Sequence, residues 1–562
     1  MKKRISLLFL LASLAGAEPH NPLPAQYYKL MEQGIARVEE RLVAEPSATL
    51  ASLEAQPGWT HFPSAILAAA VLYTKSHPAN SHRGDAKMLQ LALKIGDLLA
   101  HEQEAGTYGT RLDHHRDTYM WLEAYRLLEQ DLGKERRERW RRGITVDIDE
   151  LAAETAKRQD YPLYQSPFIG TSPNHFSLWA STVYLAGGVF GNKEWQNLGA
   201  RVLHRFAEEQ SPDGFWGEHS SAGPTTGYDY LTSTAVAAYY EHSHDRAALE
   251  ALHRSADFHE YFTYPDGTPV ETVNDRNRYW DVSMWGHFGF SNFPDGRRYA
   301  QFLTDRYEKF TLESLGRIAQ NALYFHEGSL AKIPQDREHY AHQMSVAAGI
   351  RKAGPWVVCL SGIIATQAPT SQFYLDRQSY LSVFHEKSGL IITGANSKRQ
   401  PELATLAEET GGQVYHMPMS SHLEMNDRED RLAVSYNTFF AVMGVPPPSP
   451  NRAEFAFAIT PRGHMAEAKL TLQLMLHAGE TLETVDGRSV RLDETPQALE
   501  VSGWIRHHGW TLKLSAPARL TWPVRPYNPY RNALEAGLER AVGALTTELK
   551  AETPLVTFSI EE

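Results

Sequence analysis

The spacing of apolar residues changes once along this chain, and that change limits what it can fold into. From about Leu23 to about Phe325 apolar residues recur at three and four positions, as in "PAQYYKLMEQGIARVEERL", "DAKMLQLALKIGDLLAHE" and "KEWQNLGARVLHRFAEEQ". This is the period of a helix with one buried face. After about Gln343 the apolar runs shorten, as in "GPWVVCLSGIIA", "SYLSVFHEKSGLIITGA" and "AKLTLQLMLHAGETLETVDG". They are rich in Val, Ile, Thr and aromatics and break at Lys387-Ser388-Gly389 and Asp486-Gly487, which marks strands and tight turns. "GVPPPSPN" (Gly444 to Asn451) cannot lie inside a strand, because proline has no N–H to give to a ladder.

The helical segments are mostly three or four turns long and are joined by short Gly, Pro, Asn and Asp turns. No strict repeat is visible. A long series of short hairpin-linked helices fits a toroid or solenoid better than a single four-helix bundle. The expectation is an α+β multidomain chain, with an (α/α) toroid or incomplete barrel over residues 18–335 and an antiparallel β-sandwich over 336–562. Arg531 to Lys550 reads equally as a terminal helix or a hairpin. A chain of 562 residues is too long for one ordinary core, which agrees with this division.

"MKKRISLLFLLASLAGAEP" has a basic start, a short apolar run from Ile5 to Leu14 and an Ala15-Gly16-Ala17 ending. That pattern predicts a cleaved secretory leader over residues 1–17, with the mature chain beginning near Glu18 in the periplasm or outside the cell. The run is too short for a membrane span. Cys359 is the single cysteine, so no intrachain disulfide can form. A formal net charge of −12 argues against a general nucleic-acid binder, although a local Arg and His cluster can still hold an anion.

One loop asks for a chemical explanation. "DGFWGEHSSAGPTTGYDY" (Asp213 to Tyr230) lies between two helical segments, and nothing about its packing calls for Trp216, His219, Tyr228 and Tyr230 together. Two other connections are similar: "SPNHFS" carries Asn174 and His175, and "NDRNRYW" carries Arg276, Arg278 and Tyr279. Breaking a uronic-acid polymer by elimination needs groups of these types. An amide or cation must neutralise the C6 carboxylate, a base must take the C5 proton, and an acid must protonate the departing O4. Each residue also has a plain structural alternative. Asn174 can cap a helix, His219 can be an ordinary hydrogen-bonded loop residue, Tyr228 can be core, and the arginines can pair with Asp275 and Asp281.

The order of these residues is similar to that in the chondroitin AC and hyaluronate lyase family. There a "DGSF-x-x-H" segment leads to "Y-T-G-x-Y"; this chain has "DGFWGEH" leading to "TTGYDY". Asn174 stands 45 residues before His219, and Arg276 and Arg278 stand 48 and 50 residues after Tyr228, close to the family's gaps. The chain departs from the family in reading "SPNHFSLW" where "NWW" is usual, and in lacking the first tyrosine of "YTG". Heparinase II/III-like, alginate and glucuronan lyases share the plan of a toroid followed by β-sheet domains.

The resemblance implies a polysaccharide lyase acting on an anionic, uronic-acid-containing polysaccharide, with no cofactor needed for catalysis. Asn174 would neutralise the carboxylate and His219 would be the base or its partner. Tyr228 would be the acid and could also serve as the base, with Tyr279 as the alternative acid. Arg276 or Arg278 would hold the tyrosine and the substrate carboxylate. His175, Trp216, Arg278, Tyr279 and Tyr230 would line the substrate. Two rival readings stand beside it. A glycoside hydrolase on the same toroid would draw paired carboxylates from Asp117, Glu123, Glu218, Asp229 and Asp281; the other rival is a glycan-binding protein without catalysis. In the β region, His416, His422, Glu424 and Asp427, and more weakly His385 and Glu386, offer donors for a structural Zn²⁺ or Ca²⁺.

Overall fold

The computed structural model describes residues 23–107, 115–164, 172–218, 222–274, 281–308, 310–365, 377–394, 399–462, 467–528 and 535–562. The expected leader, His219, Arg276, Arg278 and Tyr279 lie outside them.

Helices alternate between two environments. Fourteen of the eighteen residues of Pro173–Phe190 are buried, against six of the sixteen residues of the helix that follows it, Lys193–Glu208. The first is enclosed on all sides, whereas the second buries a single stripe. The same alternation runs along the whole region. Among the described residues six helices form an inner ring: Ala65–Thr74, His115–Leu128, Pro173–Phe190, Thr226–Ser243, His287–Phe290 and Leu312–Tyr324. Each packs on the next, and the last packs back on the first, so the ring closes. Leu23–Ala44, Ala86–Ala105, Gly133–Arg158, Lys193–Glu208, Arg246–Tyr261 and Pro294–Thr304 pack around it. Gly133–Arg158 shows no clear helical period in the sequence, because its charge density hides a narrow buried stripe through Trp140, Ile144, Ile148 and Leu151.

One outer helix separates each inner helix from the next, so the inner helices run parallel and their N-termini open on one rim. The outer helices that begin at Ala86, Lys193 and Arg246 are closed by the side chains of Asp85, Asn192 and Asp245, which accept first-turn N–H groups. No such side-chain bond is made at Ser172, Thr225 or Gly286, before three inner helices. At the first of these ends a carboxylate from outside the helix, that of Glu218, accepts the Asn174 N–H.

The last helix ends at Tyr324 and the first strand begins at His339. Two antiparallel sheets follow. One runs in space through His339–Gln343, Ala348–Ala353, Trp356–Ser361, Tyr380–His385, Gly389–Thr393, Glu467–Leu474, Val542–Leu549, Ala518–Val524 and Gln497–Val501. The other centres on Trp510–Leu514, Leu555–Glu561, Arg452–Pro461 and Phe439–Val445. Leu472, Phe457, Trp510 and Leu545 belong to the apolar core of this region. The Gly444 to Asn451 prolines fall in the turn between two strands, as expected. Within the described part of Arg531 to Lys550, a 3₁₀ turn at Leu538–Arg540 leads into the strand Val542–Leu549, which pairs with Glu467–Leu474 and Ala518–Val524 and replaces the helix alternative there.

The β region is fastened to the toroid at the rim. Phe215, Phe258, Phe262, Tyr264, Val270 and Val273 share one apolar cluster with Tyr340, Ile350, Val357, Cys359 and Phe384. Polar contacts flank it. The Asp213 carboxylate accepts from Ser345 N at 2.7 Å and Ser345 Oγ at 2.6 Å. Buried Glu271 Oε1 accepts from Thr393 Oγ1 at 2.9 Å and Gly394 N at 3.1 Å. Gln378 Nε2 donates to Asn274 O at 2.9 Å.

Candidate functional site

Part of the Asp213 to Tyr230 stretch is architecture. Gly214 takes φ +88°, and a Cβ there would stand 2.0 Å from Arg254 O, so only glycine fits the turn. Asp213 clamps the β region and Phe215 enters the interdomain cluster. Trp216 is 2% exposed, its indole N–H donates to Phe206 O at 2.8 Å, and its backbone N–H donates to Asp229 Oδ1 at 2.6 Å. It has no open face for a sugar, which corrects its expected place in the substrate lining. Tyr230 is corrected likewise: it is buried, its hydroxyl lies 2.6 Å from that of Tyr299, and its ring stacks on His259 at 3.8 Å between centroids. Burial pushes the Tyr230 hydroxyl well above the ordinary tyrosine range.

The remainder of the stretch turns toward the rim. Thr226 begins an inner helix, which places Tyr228 in its first turn, where it is half-buried against the toroid core. Pro173 begins the neighbouring inner helix, so Asn174 and His175 also lie in a first turn rather than ahead of it. These two helices pack against each other, with axes about 8–10 Å apart as for helices in contact. Two of the sequence-derived candidates therefore stand side by side on one rim, although 54 residues separate them in the chain.

Asn174 does not act as a helix cap. Its backbone N–H and its Nδ2 both donate to Glu218 Oε1, at 3.3 and 2.6 Å, and Nδ2 also reaches Ser172 Oγ at 3.1 Å. Its Oδ1 is buried and makes no hydrogen bond among the described residues. An ionised carboxylate only accepts, so Glu218 holds the nitrogen end of the amide in place. Glu218 is 2% exposed. In the sequence Glu218 stands out only as a hydrolase carboxylate. No local pattern links it to Asn174, because the two meet only when two helix entrances fold together.

The five carboxylates of the hydrolase alternative are engaged in different places. Asp117 is fully buried, with Oδ2 3.0 Å from His61 Nδ1. Glu123 is also fully buried and accepts from Tyr119, Arg126 and Tyr324. Glu218 serves Asn174, and Asp229 lies 2.9 Å from His259 Nε2, with its carboxyl raised by burial. Asp281 is exposed at the surface, 3.7 Å from Arg540.

The expected metal donors do not converge. His416 directs Nδ1 at Leu406 O (3.1 Å) and Nε2 at Arg377 O (3.2 Å), leaving neither nitrogen for an ion. His422, Glu424 and Asp427 are exposed. His385 faces Glu562 at 3.5 Å, and Glu386 pairs with Lys352 at 2.9 Å. Three other groups of His and carboxylate side chains come together among the described residues, and none contains these six. No helix among the described residues is long and apolar enough to cross a membrane.

No protein-family model matches the chain, and no curated protein matches it. Solved structures do resemble it. The chondroitin AC lyase of Streptomyces coelicolor A3, in complex with chondroitin sulphate, aligns with a TM-score of 0.54 and 11% identity, over 97% of this chain and 80% of the lyase. Heparinase III aligns at 0.50 and 13% identity, over 89% and 76% of the two chains. A heparan sulfate lyase of Pedobacter heparinus aligns at 0.50 and 11% identity, over 90% and 76%. The chain has the fold of these polysaccharide lyases, a helical toroid followed by an antiparallel β-sandwich.

Proposed function

We propose that the protein cleaves a uronic-acid-containing polysaccharide by β-elimination. The observation that carries this reading is the placement of Asn174 and Tyr228 in the first turns of two inner helices that pack on each other.

In this reading the substrate carboxylate takes the place of Ser172 as acceptor from Asn174 Nδ2, while Glu218 keeps the other amide hydrogen. The bond strengthens as charge moves from C5 onto the carboxylate, so it lowers the barrier to proton removal. His219 or Tyr228 takes the C5 proton. The C4–O4 bond breaks as the C4=C5 double bond forms, and Tyr228 protonates the departing oxygen. Arg276 or Arg278 supplies positive charge to the tyrosine and the substrate carboxylate, and His175, partly exposed one residue after Asn174, lines the substrate.

The test is a panel of uronic-acid polymers, including chondroitin, hyaluronan, heparan sulfate, alginate and glucuronan, followed by ultraviolet absorbance. Elimination produces a conjugated unsaturated uronate that absorbs; hydrolysis produces reducing ends without it; a glycan-binding protein produces neither. Reducing ends without absorbance would replace this reading with the hydrolase.

A further inference from the structure

In the β region, three histidines and a carboxylate gather where the loop after strand Glu467–Leu474 meets the turn between Trp504–His507 and Trp510–Leu514. His507 braces the two. It is buried, its Nε2 accepts the His477 backbone N–H at 2.9 Å, and its Nδ1 faces Thr481 O at 3.1 Å. These partners fix the neutral tautomer with the proton on Nδ1 and use both ring nitrogens, so His507 is scaffold. The other three side chains remain accessible: His477, Glu480 and His508 are 42%, 41% and 36% exposed.

Their donor atoms point at one another. His508 Nδ1 lies 2.9 Å from Glu480 Oε2, and His477 Nδ1 lies 3.9 Å from Glu480 Oε1. The two imidazoles stack with centroids 4.0 Å apart. His508 also adopts φ +44°, a left-handed conformation that a residue with a Cβ seldom takes. This turn holds a histidine there, beside Gly509 at φ +89°.

We infer that His477, Glu480 and His508 form a binding site for a divalent transition-metal ion of the Zn²⁺ type. Two imidazoles and one carboxylate are a zinc donor set, with solvent left to supply the fourth ligand. Zn–N and Zn–O bonds of about 2.0–2.2 Å place tetrahedral donors about 3.3–3.6 Å apart, and the observed 2.9 and 3.9 Å bracket that spacing. The parallel rings must tilt apart to aim both lone pairs at one ion, a movement open to side chains this exposed. None of the sequence-derived metal candidates belongs to this group.

The experiment uses untagged full-length protein, stripped by chelator and titrated with ZnCl₂ by calorimetry and with CoCl₂ by visible absorbance. One equivalent per chain is expected, with a Co²⁺ spectrum of low coordination number. His477→Ala and Glu480→Gln should each weaken binding at least about tenfold, while His422→Ala, an exposed histidine elsewhere in the β region, should not. If His508→Ala disturbs the turn, His508→Asn keeps a residue that tolerates positive φ and removes the imidazole. Absence of saturable binding in the parent protein, or an affinity unchanged in the His477→Ala, Glu480→Gln double variant, would overturn the assignment.

Discussion

Replacing Glu218 by alanine tests whether one buried carboxylate sets the geometry of the candidate site. Glu218 Oε1 is the shared acceptor for the Asn174 backbone N–H at 3.3 Å and its Nδ2 at 2.6 Å. The first bond is long and contributes little, on the order of 1 kcal/mol. The second is short and charge-assisted, on the order of 1.5–3 kcal/mol. Loss of both at a buried helix end should cost about 2–4 kcal/mol, read as a fall of several degrees in the unfolding temperature of the helical region. Turnover should drop about 10²-fold, because an amide that is no longer held misses the geometry needed to bind developing charge. Glu218→Gln keeps an oxygen of the same reach and should lose much less of both. The assay is initial-rate absorbance on whichever polymer the panel identifies, with calorimetry and circular dichroism on the same samples. If Glu218→Ala melts with the parent and turns over with it, the coupling argued here is wrong. If stability falls while turnover holds, Glu218 is a strut for the helix end and Asn174 is not part of the reaction.

Other expectations follow from the same structure. Tyr228→Phe deletes one oxygen and keeps the ring, so the fold should survive and elimination should fall by about 10²–10⁴; a folded, fully active variant removes Tyr228 as the acid, and loss in Tyr279→Phe alone moves that role. Asn174→Ala should lower kcat by about 10²–10³ with a smaller change in KM, and near-parental turnover would reduce it to a structural residue. Burial raises the Glu271 carboxyl above its ordinary value of 4.5, so the folded state binds that proton more tightly than the unfolded one. The resulting stabilisation is complete below 4.5 and is lost as pH rises through the raised value. The unfolding temperature of the parent relative to Glu271→Gln should therefore decline as pH rises from 4.5 toward neutrality, and a difference that does not vary with pH would contradict the argument. Export is proposed from residues 1–17; protein recovered outside the cytoplasm with Met1 still attached would count against it.

The sequence by itself determined where helix gives way to strand along this chain and which loop residues could carry chemistry. Hydrophobic period is a local property, so the change from helix to strand could be read directly, and so could Pro-rich turns that no strand interior accepts. Asn174 and Tyr228 were legible as an ordered pair because the spacing between motif segments survives without any knowledge of contacts. Gly133–Arg158 was missed because its buried stripe is narrow among charges, and Val542–Leu549 was undecided because a short apolar run fits either period. Only the tertiary structure decided which residues became neighbours. It buried Trp216 and Tyr230, whose composition suggested sugar stacking, by giving the indole N–H to Phe206 and the phenol to Tyr299. It turned Glu218 from a hydrolase candidate into the partner of Asn174, and it left the His416 nitrogens facing carbonyls while assembling His477, Glu480 and His508 elsewhere. The physical reason is the same in each case: burial and hydrogen-bond partners are set by elements distant in sequence, and neither composition nor periodicity encodes which distant element arrives.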